Sequence, residues 1–474
     1  MGGIIRAEKN LPYNLPLVAV LLTGSFLAIL NQTLLITAIP QIMDDLQLTE
    51  NIAQWVTTIF MLVNGIMIPI SAFLMETFTT RRLFLIAMSI FALGTLICAF
   101  SFHFPVLMVG RIIQATGAGI MMPLMMTVFM LIFPIERRGT AMGTVGLVIS
   151  FAPAIGPSLS GWLLEYFHWR ALFFIIFPLT VFDLIIAYFV MQNIIKRTFP
   201  KVDYFSIILS TLGFGGLLYG FSMAGNMGLA SQIVLISIII GVCALTLFIL
   251  RQFKLKQPIL EFRVLSNKTY TITTIIGMIA FVSMISSETI LPIYMQTMAG
   301  FSAFESGLMI LPGALIMGIM SPINGRIFDK IGARWLLITG LSILTITTLL
   351  LTNLDEHTSF TYLTTVFTIR MFGISMVMMP ATTEGLNQLP RRLVPHGTAM
   401  TNTMRQVSAS IGTAMLITIM TSTSNNSSMH VNPEVIIRGV NIAFYVSTAF
   451  ALFALVLSFY VKSIAKKEKE KHIA

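Results

Sequence analysis

DYFSIILSTLGFGGLLYGFSMAGNMGLASQIVLISIIIGVCALTLFILR, residues 203–251, is charged only at its two ends: the 47 residues between Asp203 and Arg251 carry none. A Gly-Asn-Met-Gly turn, Gly225 to Gly228, divides it into two apolar stretches. Each is about 20 residues long, enough for a helix to cross a hydrocarbon core of ~30 Å. Lipid offers the backbone no hydrogen-bond partner, so spanning segments are helices or closed barrels. Apolar runs without alternation exclude the barrel.

The same pattern fills the chain. Of its 474 residues, 56% are hydrophobic and 10% charged, against about 25% charged in soluble domains. Apolar runs place fourteen spans near 15–37, 52–74, 83–102, 105–130, 139–164, 169–191, 204–224, 230–250, 269–296, 304–328, 334–352, 361–385, 395–420 and 440–461. An even count puts both termini on one side. That side holds 24 of the 29 Lys and Arg, including Arg81, Arg82, Arg137, Arg138, Lys254, Lys256, Arg391, Arg392 and the Lys466-Lys467 tail. Arg170 and Arg438 fall opposite, with Asp44, Asp45, Glu50, Asp355 and Glu356. The positive-inside rule then makes both ends cytoplasmic, in a cell membrane. The net charge of +10 is explained by this topology, so no nucleic-acid partner is expected. Met1 to Lys9 is short and polar and precedes no cleavage-like site, so the first span reads as a retained helix. Cys98 and Cys243 lie inside apolar runs and imply no disulfide framework.

An internal repeat organises the spans. Gly139-Thr-Ala-Met142 recurs as Gly397-Thr-Ala-Met400, Arg111 with Pro123 recurs as Arg370 with Pro380, and Glu76 with Arg81 as Asp329 with Arg334. All offsets lie between 253 and 259, about eight spans. The expected fold is an all-α polytopic membrane protein of two six-helix halves, residues 1–200 and 264–474, with two inserted helices in 201–263. Parallel halves around a central cavity are a transporter architecture.

The loop Ala72-Phe-Leu-Met-Glu76-Thr-Phe-Thr-Thr-Arg81-Arg82 resembles the signature of the major facilitator superfamily. Its second copy, Gly325-Arg-Ile-Phe-Asp329-Lys-Ile-Gly332-Ala-Arg334, is nearer the family pattern; the first has Ala72 and Thr79 where glycines are usual. An acid facing arginines of the next loop can serve as a latch that breaks in one state, or simply as a topology-setting charge cluster. Span five, Gly146 to Gly161, contains Pro153, Gly156 and Pro157 and looks like the superfamily's exporter motif; small residues allow close helix approach and prolines bend the helix. The alternative is ordinary small-residue packing. Arg111-Ile-Ile-Gln114 in span four, Asn31 in span one and Asn402-Thr-Met-Arg405 in span thirteen resemble the fourteen-span drug:proton antiporter family, which includes multidrug and lincomycin exporters of Gram-positive bacteria. The resemblance covers the whole chain and implies the major facilitator fold. Where many members have an aspartate, this chain has Asn31, which cannot titrate.

Proton coupling must then use another acid. Asp183, Glu288 and Glu384 fall within spans; Glu384 reads as interfacial, leaving Glu288 as the favoured coupling acid and Asp183 as the second candidate. Burial disfavours the charged carboxylate and a nearby cation restores it, so a moving arginine or cationic substrate can load and unload such a site. Either acid can instead be a structural partner of Arg111 or Arg370. Methionines clustered in span four (Met121, Met122, Met125, Met126, Met130) and span twelve suit either an adaptable lipophilic pocket or plain packing. No Gly-Lys dipeptide exists, hence no Walker-type phosphate loop, and no His-Glu-x-x-His or Gly-x-Ser-x-Gly motif marks an enzyme. The expected function is a monomeric, cofactor-free, proton-driven multidrug exporter of lipophilic compounds. The alternatives are a proton-coupled symporter and an exporter of one metabolite or antibiotic.

Overall fold

The computed structural model describes residues 15–195, 197–199, 201–228, 230–422 and 433–461; Met1–Lys9 and the Lys466-Lys467 pair lie outside them. Fourteen long helices are present among the described residues: α1 (Leu15–Leu34), α2 (Trp55–Thr77), α3 (Thr80–Ala99), α4 (Phe104–Ile132), α5 (Arg138–Tyr166), α6 (Ala171–Val190), α7 (Tyr204–Met227), α8 (Gln232–Lys254), α9 (Lys268–Thr297), α10 (Ala303–Ile331), α11 (Ala333–Leu350), α12 (Phe360–Asn387), α13 (Val394–Ser422) and α14 (Pro433–Ser458). Thirteen of them are long and apolar enough to cross a membrane. The exception is α13, whose Thr398, Thr401, Thr403 and Arg405 are buried inside the bundle, facing protein instead of lipid. The first span ends earlier than expected, at Leu34. Pro40 near the start of a short helix, Ile39–Leu46, turns the chain aside there.

Local signals set the helix ends. Thr79, Asn267 and Ser359 each accept a backbone N–H in the first turn of the following helix, and Ser302 with Glu305 forms a reciprocal capping box at α10. Prolines stand inside α2, α4, α5, α6, α9, α10 and α12, and they keep the repeat's symmetry at Pro123 and Pro380.

Helices α1–α6 pack together, as do α9–α14, and the halves meet through α5 against α10 and α2 against α13. The α5–α10 seam is made of small residues: a Cβ on Gly143 would lie 2.6 Å from the Ser321 carbonyl oxygen and 2.8 Å from Pro322 Cα. The inserted helix α7 covers the other seam, packing on both α2 and α13. Its Tyr219 ring lies 5.7 Å from that of Trp55, and Leu218 fills the space a side chain at Gly65 would need. Helix α8 backs α7 and turns Ile233, Leu235, Ile236, Ile239, Ile240 and Leu247 outward, as a lipid-facing helix must.

One end of the bundle carries the basic loops, the other the acidic ones. At the acidic end Asp45 joins three connections of the first half: it accepts from Trp169 Nε1 (3.2 Å) and Arg170 Nη1 (2.9 Å), with His168 Nε2 at 3.3 Å. Arg170 also donates to the Ser101 carbonyl and stacks on Trp169. Burial pushes the Asp45 carboxyl up, but the hydrogen bonds from Trp169, His168 and Arg170 together hold it below its ordinary range. A depressed folded-state pKa contributes stability above the unfolded value, lost as pH falls through the folded one. Thermal unfolding of Arg170→Ala is therefore expected about 2–4 °C below the parent at neutral pH, with the gap narrowing below pH ~4 as Asp45 protonates, to what the Ser101 bond and the Trp169 stack contribute.

Candidate functional site

Each half buries an arginine without a carboxylate. In the first half Arg111 on α4 is fully buried; it donates to the Asn31 amide oxygen (2.7 Å), Gln114 Oε1 (2.7 Å) and the Val56 carbonyl (3.0 Å). Its guanidinium lies 4.2 Å from the Phe60 ring centroid, and Gln114 passes the chain on to Thr95. In the second half Arg370, also fully buried, donates to the Ser283 carbonyl and hydroxyl and to Thr348. Arg405 on α13 donates to the Met378 carbonyl and Thr382, and its guanidinium packs 3.2 Å from the Cβ position of Gly277. Neutral oxygens satisfy these cations only in part: one nitrogen of each has no partner among the described residues. Asn31 thus serves as an arginine acceptor. An aspartate there would neutralise Arg111; the amide leaves its charge standing.

Among the described residues neither candidate acid bonds to any of these arginines. Asp183 on α6 is 2% exposed with Oδ2 unpartnered, facing α1 at Gly24 and α3 at Phe84. Glu288 on α9 is half-buried and forms no hydrogen bond to a described residue. It follows Gly277 by 11 residues, so at 100° per residue both share one face of α9, the face that meets Arg405. Glu384, expected at an interface, is buried at 1% exposure and accepts from Gln388. Of the span-four methionines, Met121, Met125, Met126 and Met130 are buried and Met122 is partly open.

The two signature acids occupy a different geometry from an acid–arginine latch within one half. Asp329 reaches across to the start of α5, accepting from Gly139 N–H (2.7 Å), Thr140 N–H (2.8 Å) and the Thr140 hydroxyl (2.6 Å). A helix start offers free N–H groups and the positive end of its dipole, which hold the carboxylate there, with the charge of Arg137 from the same loop acting on it as well. Arg334 is exposed. Glu76 accepts from His396 at the start of α13 (3.1 Å), while Arg81 turns away to the Tyr188 carbonyl and ring. Neither partner was legible from motif spacing; both come from the opposite half. Thr127–Thr398, Arg138–Asn387 and Asn402–Met126 also join the halves, and all of these contacts lie toward the basic end. The protein is closed there.

The exporter-motif residues divide. Pro153 and Pro157 stand inside α5. Gly156 lies against α1, where a Cβ would sit 2.2 Å from Thr33 Oγ1, whereas Gly161 has nothing within 4 Å.

Two helical halves closed at one end around partly satisfied interior charges are a transporter architecture. The chain belongs to the Major Facilitator Superfamily, whose model matches residues 21–413. It is 55% identical to the uncharacterized MFS-type transporter YcnB of Bacillus subtilis, covering 94% of each chain. It is 40% identical to the lincomycin resistance protein LmrB of the same organism, over 95% of this chain and 96% of that one. Among solved structures, the proton:xylose symporter XylE aligns with a TM-score of 0.65 at 13% identity, over 96% of this chain and 97% of that chain. That last likeness is one of fold.

Proposed function

We propose that this transporter exports lipophilic drug-like compounds from the cytoplasm in exchange for protons, with both termini cytoplasmic in the cell membrane and the basic end facing inward. The observation that carries the reading is the near full-length similarity to a lincomycin resistance protein. The Pro153–Gly156–Pro157 segment of α5 and the basic-end excess of Lys and Arg support direction and orientation. Glu288 and Asp183, interior acids free of arginine partners, are the groups that suit a proton carrier; Glu288 is favoured because it shares a helix face with the Arg405 contact. Arg111, Asn31, Gln114 and Arg405 would shape the polar lining around them. The chain would work as a monomer, with no cofactor beyond the gradient.

Inverted membrane vesicles carrying the protein test this directly. Adding lincomycin or a lipophilic cation to energised vesicles is expected to release protons from the lumen, and an uncoupler is expected to stop substrate accumulation. Response to lincosamides alone would narrow the reading to a single antibiotic class. Accumulation indifferent to the uncoupler would sink the proton-driven reading.

A further inference from the structure

The internal repeat is broken at one point of the gate, and the inserted helices are found there. Asp329 locks the halves by binding the backbone start of α5 at Gly139 and Thr140. Its repeat counterpart Glu76 does not bind the equivalent Gly397 and Thr398. It accepts instead from the His396 side chain, whose counterpart in the first half is Arg138.

His396 is 4% exposed and holds two contacts at once. Its Nδ1 accepts from the Glu261 backbone N–H at 3.3 Å, and its Nε2 lies 3.1 Å from Glu76 Oε1. A neutral imidazole has one acceptor and one donor, so the Glu261 N–H selects the tautomer whose Nε2–H points at Glu76. Glu261 belongs to the segment joining the inserted pair to the second half. That segment is held by Gln252, near the end of α8 and 1% exposed: its Oε1 accepts from Ile259 N–H (2.7 Å) and Leu260 N–H (3.5 Å), and its Nε2 donates to Ser206 (2.8 Å). Ser206 and Arg251 in turn bind Asp203, closing the basic ends of α7 and α8 together. The hydrogen bonds from Arg251 draw the Asp203 carboxyl down to about 2 against the push of burial, so this clamp stays ionised at any physiological pH.

We propose that Gln252 is a positioning residue for the gate: by holding the linker backbone it aims His396 at Glu76, so that the inserted helix pair governs one of the two signature-acid locks between the halves. The first lock, at Asp329, is direct and independent of the insert. The second is relayed through Gln252, the 259–261 backbone and His396. An added pair of helices that only covered the α2–α13 seam would have no need of a buried side chain gripping the linker.

The gate is read without substrate or gradient, so the outcome is separate from the export reading. Spin labels at Arg82→Cys and Arg392→Cys, exposed residues of the two halves, report the opening at the basic end in purified full-length protein. Cys243→Ser removes the exposed native thiol, and Cys98 is buried. Gln252→Leu and His396→Leu are each expected to raise the ratio of open to closed distances about five- to thirtyfold. His396→Gln, which keeps one acceptor and one donor, should restore the parent distribution. The double variant Gln252→Leu/His396→Leu should open no further than His396→Leu alone, whereas Asp329→Asn should add to either. Ser206→Ala, which removes one of the three contacts of Gln252 and one partner of Asp203 while leaving Arg251 on Asp203, should shift the ratio in the same direction by less, and it stands in if Gln252→Leu does not fold. A parent-like distribution in Gln252→Leu and Ser206→Ala while His396→Leu opens, or full additivity in the double variant, overturns the proposal.

Discussion

Glu288→Gln is expected to abolish uphill export while leaving a folded protein that still binds substrate. Glutamine keeps the side chain's volume and its capacity to accept, so α9, which already carries Pro292, has no cause to repack. What it removes is the proton. One net charge moved down 100 mV supplies ~2.3 kcal/mol, which sustains a substrate ratio of about 50-fold. Without a titrating group that ratio should fall to about one, leaving only downhill exchange. Vesicle accumulation and substrate-induced proton release, measured on the same preparation, check both halves of the statement. Loss of accumulation with retained substrate-quenched fluorescence is the expected pair. Full accumulation by Glu288→Gln would transfer the coupling role to Asp183, whose Asn variant is the companion measurement. The structure makes this a fair contest, since neither acid is committed to Arg111, Arg370 or Arg405 among the described residues.

The long apolar runs, the duplication and its insertion could be read directly, because lipid imposes one rule on every span and a repeat needs no partner to be seen. Even α13, too polar to qualify by composition, was legible through its Gly397-Thr-Ala-Met copy. The gate was not. Asp329 and Glu76 were recognised as latch acids, but the arginines nearest in sequence, Arg334 and Arg81, are not their partners. An acid near basic residues suggests an ion pair. The structure uses helix-start N–H groups and a histidine from the other half, which leave no spacing signal: Glu76 and His396 are 320 residues apart. Asn31 is a similar case. As a departure from the family's aspartate it read as a lost proton site, whereas its structural role is to accept from Arg111. Only the packing partner, three helices on for Asn31 and eleven for Glu76, distinguishes such readings.

Gly143→Leu is expected to arrest transport by holding the basic end open. On α5, Gly143 meets the backbone of α10: the Ser321 carbonyl oxygen at 2.6 Å and Pro322 Cα at 2.8 Å from a Cβ position. Backbone cannot swing aside as a side chain can, and Pro322 stiffens this turn further. A leucine must therefore drive the two helices apart. One turn away, the same displacement breaks the three bonds that Asp329 makes to Gly139 and Thr140. Hydrogen bonds to a charged group contribute about 1.5–3 kcal/mol each, so losing even two penalises the closed state by about 3–6 kcal/mol, a shift of at least ~100-fold. Each half keeps its own core, so the variant should fold and insert while export falls to the background of empty vesicles. Gly143→Ala, with one methyl to accommodate, should lie between. The matched control is Gly161→Leu in the same helix, where nothing stands within 4 Å; it should transport like the parent. Parent-level export by Gly143→Leu would show that the α5–α10 contact does not have to close in the cycle, and equal loss in Gly161→Leu would mean the helix as a whole, not its seam, tolerates no bulk.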